Sequence, residues 1–303
     1  MPLFPPLRRL IVDPPPEFAF ELSEAGIGWT HRGKTQRGGF LPLEPGVISP
    51  SPVRDNILKP ETLEVAILSL VPQTSHKRRR PAALILPDYC GRVAVVDFDS
   101  FPNEPSQQMS LVRFRVKKSV PFDLDAASVS FFVQPHPDGG RKREVVVAVV
   151  SFEILARYEA PLRVAGLYPG LVTISALAAL NMVHGSGLEI IAKLSGKVLS
   201  VAVSQNGVLR MFRCVETDQV TPEEITAVLF PTFAYVEDEL GHKPQRLLLC
   251  GFGAFGEAIA SVLRAELEAA VEPVRSAYGA PGPFNAGLFG YLQSIGMEIG
   301  AAA

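Results

Sequence analysis

The chain is poor in cysteine, in net charge and in long apolar runs, and each shortage removes a class of protein. Its three cysteines, Cys90, Cys214 and Cys250, are far apart in apolar text and form no CxxC pair. That argues against a disulfide framework or a zinc site and in favour of inert, buried thiols. The formal net charge of −2 supplies no global field for nucleic acid or an anionic membrane, so any such attraction has to come from a local patch. The longest apolar stretches, residues 145–150 and 171–183, are too short or too interrupted for the roughly 20 residues that span a bilayer. The opening Met1-Pro-Leu-Phe-Pro-Pro has neither an apolar h-region nor a small-residue cleavage site. The resulting expectation is a cytoplasmic protein with no nucleic-acid partner and no direct membrane insertion, held at a membrane only through partners.

What is present is a large interior. Hydrophobic residues make up 47% and charged residues 20% of 303 positions, enough for one large domain or two lobes with separate cores. The first 60 residues are punctuated by Pro14-Pro15-Pro16 and Gly38-Gly39, and between these breaks Phe18-Ala-Phe-Glu-Leu and Ile27-Gly-Trp-Thr-His predict a hairpin. Pro60-Glu-Thr-Leu-Glu-Val-Ala-Ile-Leu predicts a helix, with proline and acids in its first turn. Ala82-Ala-Leu-Ile-Leu is a continuously apolar strand of the kind buried in a parallel sheet. Residues 127–134 and 144–151 predict strands, residues 152–160 a helix, and residues 171–183 a nearly wholly apolar helix placed between lobes. Three antiparallel strands then follow around Leu194-Ser-Gly196 and Asn206-Gly207, and a capped helix opens at Thr221-Pro-Glu-Glu.

Few residues suggest chemistry. His76-Lys-Arg-Arg-Arg80 reads as a solvated loop or as a docking patch for acidic groups, and His136 as a loop residue. Asp97 and Asp99 lie two apart in a strand. Such a pair can serve as acid and base or bind a metal, but without a third ligand nearby it reads as a solvated strand end. No metal site and no catalytic constellation emerges. Gly251-Phe-Gly253-Ala-Phe-Gly256 is a formal GxGxxG between a strand and a helix. In a dinucleotide fold its glycines admit a pyrophosphate to the helix N-terminus, but no strand ending in a ribose-binding acid appears about 20 residues on. The other reading is a tight strand-to-helix turn.

The order of these elements resembles the actin-like fold, and four stretches resemble the PilM family of type IV pilus assembly proteins, which is related to FtsA. They are Val112-Arg-Phe-Arg-Val-Lys-Lys-Ser-Val-Pro-Phe-Asp, Ala165-Gly-Leu-Tyr-Pro-Gly-Leu, Leu199-Ser-Val-Ala-Val-Ser-Gln-Asn-Gly-Val-Leu-Arg-Met-Phe-Arg and Leu247-Leu-Leu-Cys-Gly-Phe-Gly-Ala. The resemblance implies an α/β, two-lobed actin-like (ribonuclease H-like) fold with a small inserted α+β subdomain. It divides the chain into a first lobe over 1–102, the insertion over 103–164, a return helix over 165–187, a second lobe over 188–280 and a C-terminal helix over 281–303 that packs on the first lobe.

The resemblance also locates an eroded nucleotide cleft. The family's Gly-Ile-Asp-Ile-Gly-Ser-Ser is replaced by Ala19-Phe-Glu-Leu-Ser-Glu-Ala, with Glu21 for the acid, Ser23 for the glycine and Glu24 facing the phosphates. The second loop, near Ile191-Ala-Lys-Leu-Ser-Gly196, lacks its aspartate. Phe252 stands at the Gly251/Gly253 turn, where it could fill the adenine slot. ATP hydrolysis is therefore not expected, while Lys193, Ser195 and Lys197 leave ATP–magnesium binding open. The implied function is a non-catalytic scaffold of a type IV pilus or type II secretion-like assembly. Its partners would be the tail of a PilN-like inner-membrane protein and other platform proteins. Arg113, Arg115, Lys117, Lys118 and Phe122 are placed near the docking groove; their plainer reading is an ordinary amphipathic helix facing its own subdomain. An active actin-like ATPase and an NAD-binding oxidoreductase are the alternatives.

Overall fold

The computed structural model describes residues 14–33, 36–72, 79–134, 142–185, 187–267 and 269–296. Residues 76–78 of the basic run, His136 and residues 297–303 of the expected C-terminal segment lie outside them.

The chain begins with β1 (Phe18–Ser23), whose six residues are all buried, paired antiparallel with β2 (Gly26–Arg32), which in turn pairs with β3 (Gln36–Pro42). α1 (Pro60–Leu70) starts on a proline, whose missing N–H costs nothing in a first turn, and buries Leu63 and Ile67 one turn apart. β4 (Arg80–Leu86) then lies parallel to β1. A continuous apolar run can sit there because both faces of this central strand are covered.

β5 (Arg92–Phe98), α2 (Pro105–Val116), β6 (Ala127–Val133) and β7 (Arg143–Ser151) form a separate unit, with antiparallel strand order β5-β7-β6 and α2 closing one face through Val112 and Val116. The insertion therefore starts about ten residues before the position expected from sequence. Gly91 is where the chain crosses over, and a Cβ there would stand 2.8 Å from the Val149 carbonyl. The insertion also ends earlier. α3 (Phe152–Val164) buries Ile154, Tyr158 and Leu162, one per turn, in the core built on Phe18, Phe20 and Leu22, so it belongs to the first lobe.

β8 (Leu167–Ile174) completes the first sheet in the order β3-β2-β1-β4-β8 and runs parallel to β4. This corrects the apolar helix expected over 171–183: β-branched Val172, Thr173 and Ile174 extend a strand. Only α4 (Ser175–Ala179) and a 3₁₀ turn (Leu180–Met182) are helical. An apolar run this short does not distinguish a strand from a helix.

The second lobe repeats the plan. β9 (Leu188–Ser195), β10 (Val198–Gln205) and β11 (Val208–Glu216) form the antiparallel meander. α5 (Pro222–Leu240) is capped by Thr221, whose hydroxyl accepts from the Glu224 amide at 3.3 Å. β12 (Arg246–Cys250), α6 (Gly256–Leu267) and β13 (Ala270–Pro273) complete a sheet ordered β11-β10-β9-β12-β13. α7 (Ala286–Ser294) packs on the first sheet, where Leu288, Tyr291 and Leu292 meet Ala19, Ala83 and Ile85. Between the lobes lies a shared core containing Ala176, Ala179, Met182, Ile191, Phe212 and Cys250. Among the described residues no helix is long and apolar enough to cross a membrane.

Candidate functional site

The expected nucleotide loops converge at the junction of the lobes, and their polar groups are turned on one another. Asp88 sits in the short 3₁₀ turn after β4, with no exposed side-chain surface. One carboxylate oxygen accepts from the Ala176 amide at 2.6 Å, and the other from the Lys193 ammonium at 2.7 Å and the Ser200 hydroxyl at 3.0 Å. Lys193 reaches it from β9, so a fully buried ion pair joins first lobe to second. Burial opposes the lysine's charge, but Asp88 and Glu21 outweigh it and raise its pKa above the usual value. A buried pair is tolerable only when its remaining valences are met, and here Asp88 has three donors. This corrects the expectation that Lys193 stays available to hold phosphate.

Glu21, expected from the sequence at a metal-arranging position, caps a helix. Its carboxylate accepts from Ser175 Oγ, from the Gly287 amide at 3.2 Å and from the Leu288 amide at 2.6 Å. Gly287 and Leu288 lie in the first turn of α7, whose free N–H groups and dipole favour an anion. Burial raises the Glu21 pKa, and Lys193, Ser175 and Leu288 offset part of that rise. Ser23 is spent on the β1–β2 turn, donating to the Gly26 carbonyl at 2.9 Å. Glu24, its pKa raised by burial, lies over the second loop: any Cβ on Gly196 (φ +56°) would collide with the Glu24 carboxylate. Ser195 is half-buried at the end of β9.

On the adenosine side, Gly251 (φ +76°) packs against the Leu194 carbonyl and Pro283, and Gly253 is exposed. Phe252 joins the second-lobe core with Leu249 and Ile259 and also borders a cavity of about 170 Å³ beside the glycine turn. The void between the lobes, lined by Ile191, Lys193, Ser200, Phe212 and Cys250, measures about 10 Å³. That is about one water, where a small-molecule site takes roughly 300–1,000 Å³. A triphosphate with its cation does not fit these residues: the base is neutralised, the acid is committed to a helix, and Glu24 would repel the phosphates.

A second set of contacts holds the insertion against the second lobe. The Gln134 side chain donates to the Leu209 carbonyl at 2.7 Å and accepts from the Leu209 amide at 2.8 Å, in place of a strand partner, and Arg210 pairs with Glu144 at 2.7 Å. Sequence reasoning passed over Asp88, Ser175 and Gln134. Asp88 follows Pro87 at a strand end and reads as loop, and no local signal says that Lys193 will meet it.

A groove of about 300 Å³ separates the first lobe from the insertion, lined by Pro52, Val53, Asp55, Phe122, Ile154 and Arg157. Arg157 and Asp55 pair across its wall at 2.9 Å. Of the five expected partner residues only Phe122 reaches the groove. Arg113 is tied to Asp125 at 2.7 Å and to the Leu124 carbonyl at 2.8 Å, Arg115 approaches Asp97 at 3.5 Å, and Lys117 and Lys118 are exposed just beyond α2. Asp97 also pairs with Lys142 at 3.3 Å, and its pKa is lowered by hydrogen bonding and by both cations against the opposing effect of burial.

No protein-family model and no curated protein matches the chain. Solved structures do. A chain of the PilM-PilN type IV pilus biogenesis complex superposes with a TM-score of 0.69 at 16% identity, over 93% of this chain and 98% of that one. The fold is actin-like. A protein of Bacteroides thetaiotaomicron with an actin-like ATPase fold aligns with a TM-score of 0.56 at 13% identity, over 93% of this chain and 95% of that one. In this actin-like frame the GxGxxG is the glycine turn of the second lobe between β12 and α6, not the first turn of a dinucleotide fold.

Proposed function

We propose that this actin-like protein is a non-catalytic scaffold of a type IV pilus or type II secretion-like assembly, and that it docks the cytoplasmic tail of a PilN-like inner-membrane protein. The observation that carries the reading is the groove at Phe122. It offers an apolar lining from Pro52, Phe122 and Ile154 and charged groups from Arg54, Asp55, Glu153 and Arg157, the division of labour common at interfaces. Two things support it: the likeness to a chain of the PilM-PilN complex, and the internal pairing of the polar groups in the interlobe site. The protein would then sit under the membrane through that partner and other platform proteins. Titration of the full chain with a PilN-like tail peptide tests it. Phe122→Ala is expected to weaken binding by about 1–3 kcal/mol with folding retained, and unchanged affinity would remove the groove from the site. The competing reading, an ATP-binding protein, has the cavity of about 170 Å³ at the glycine turn in its favour.

A further inference from the structure

Phe114 is 79% exposed in the last turn of a regular helix, and nothing in the packing of α2 calls for a ring there. Successive helical residues are about 100° apart, so Phe114 points away from both Val112 and Val116, the residues α2 buries. Lys117 keeps helical dihedrals (φ −53°, ψ −35°), which puts Lys117 and Lys118 at the i+3 and i+4 positions from Phe114 and on the same outward face. Both lysines are exposed, and no ion pair forms at either among the described residues. Arg115 flanks them, half-exposed, and is only loosely held by Asp97. The two acids of the following loop are engaged elsewhere: Asp125 pairs with Arg113, and Asp123 accepts from the Asp125 amide at 3.0 Å. Cations at a helix C-terminus favour the dipole, but that effect does not account for an unburied phenylalanine among them.

We infer that this outer face of α2 is a lipid-contacting surface that sets the protein against an anionic bilayer, with Phe114 entering the headgroup boundary and Arg115, Lys117 and Lys118 meeting lipid phosphates. The shape of the face argues for a bilayer over a peptide. Neither of the two cavities of about 300 Å³, at Phe122 and at Tyr235, is lined by a residue of α2. An outward helix face of one aromatic and several exposed cations suits a flat charged surface, whereas peptides and small ligands take concave sites. With an overall charge of −2 the attraction has to come from a local patch, so contact is weak and orienting. The inference does not depend on the groove.

The test is flotation of the full-length chain with phosphatidylcholine vesicles, with and without phosphatidylglycerol. Binding is expected only to the anionic vesicles and is expected to fall with salt. Each lysine reversed in Lys117→Glu/Lys118→Glu is expected to lower partitioning about fivefold or more. Phe114→Ala is expected to reduce it by about tenfold. Phe122→Ala is expected to leave it unchanged. All these positions but Phe122 are exposed, and circular dichroism checks that each variant folds. Equal binding to neutral vesicles, no binding to either, or variants that bind like wild type would overturn the inference. So would binding of a soluble acidic peptide through Lys117 and Lys118 in place of the vesicles, which would make the face a protein contact.

Discussion

Lys193, expected from the sequence to be open to phosphate, is engaged by another side chain. At a nucleotide loop a lysine holds phosphate; here it neutralises Asp88 across the lobe junction, with 3% of its side chain exposed. Removing one partner of a buried pair leaves the other charge uncompensated, so Lys193→Met is expected to cost about 3–5 kcal/mol in a denaturant melt. Adding Asp88→Asn is expected to regain most of that loss. The pH dependence has a definite sign. The folded pKa of Lys193 lies above its ordinary 10.5, so its contribution is complete below that pH and disappears as pH rises through the folded value. The stability gap between wild type and Lys193→Met is therefore expected to be flat near neutrality and to shrink above pH 10.5. Glu21 also has a raised pKa, but as an acid its ionisation works against the fold. Its stability contribution is largest below 4.5 and declines as pH rises towards the folded pKa. Relative to wild type, Glu21→Gln is expected to gain stability between pH 4.5 and neutrality in parallel melts. Burial also pushes the Cys214 and Cys250 thiols up to about 12, in keeping with unreactive cysteines.

At the scale of elements, helix and strand ends are fixed by partners distant in sequence. α7 has no capping side chain of its own at Asn285, and Glu21, 267 residues from Leu288, supplies the acceptor. β11 borrows a strand-like pairing from Gln134, which fastens the insertion to the second lobe. Gln134→Ala would leave the Leu209 amide and carbonyl unpaired. It is expected to cost about 2 kcal/mol, from two buried hydrogen bonds at about 1 kcal/mol each, and to speed hydrogen exchange at Leu209. An unaltered exchange rate there would show that the side chain is not the clamp. Most elements were legible beforehand: the Phe18–Ile27 hairpin, the Pro60 and Thr221 helix starts and the Asn206-Gly207 turn all carry local signals. The run over 171–183 was misread because a short apolar stretch has no periodicity of its own, and its strand state comes from pairing with β4.

For the whole molecule, the contacts across the lobes act together. The Lys193–Asp88 pair and the shared apolar core join the two lobes, and the Gln134 clamp and the Arg210–Glu144 pair join the insertion to the second lobe. A ligand at 100 times its Kd stabilises a protein by about 2.7 kcal/mol. ATP–magnesium at millimolar concentration is accordingly expected to leave the melting temperature of the wild type unchanged in a thermal-shift assay. A rise of several degrees would show that the junction opens to nucleotide and would favour the ATP-binding reading.

The sequence by itself determined the class of molecule: an apolar content of 47% makes a large buried core, and the order of turns and caps is written in local residues. It also singled out Glu21, Ser23, Glu24 and Phe252 as residues that depart from what the actin-like resemblance leads one to expect. Only the tertiary structure decided what those residues do instead. Asp88 and Lys193 are 105 residues apart, Glu21 and Leu288 are 267 apart, and Gln134 and Leu209 are 75 apart. Local propensity acts within a few residues of the chain. The energy of a buried charge depends on which donors the fold brings within about 3 Å of it.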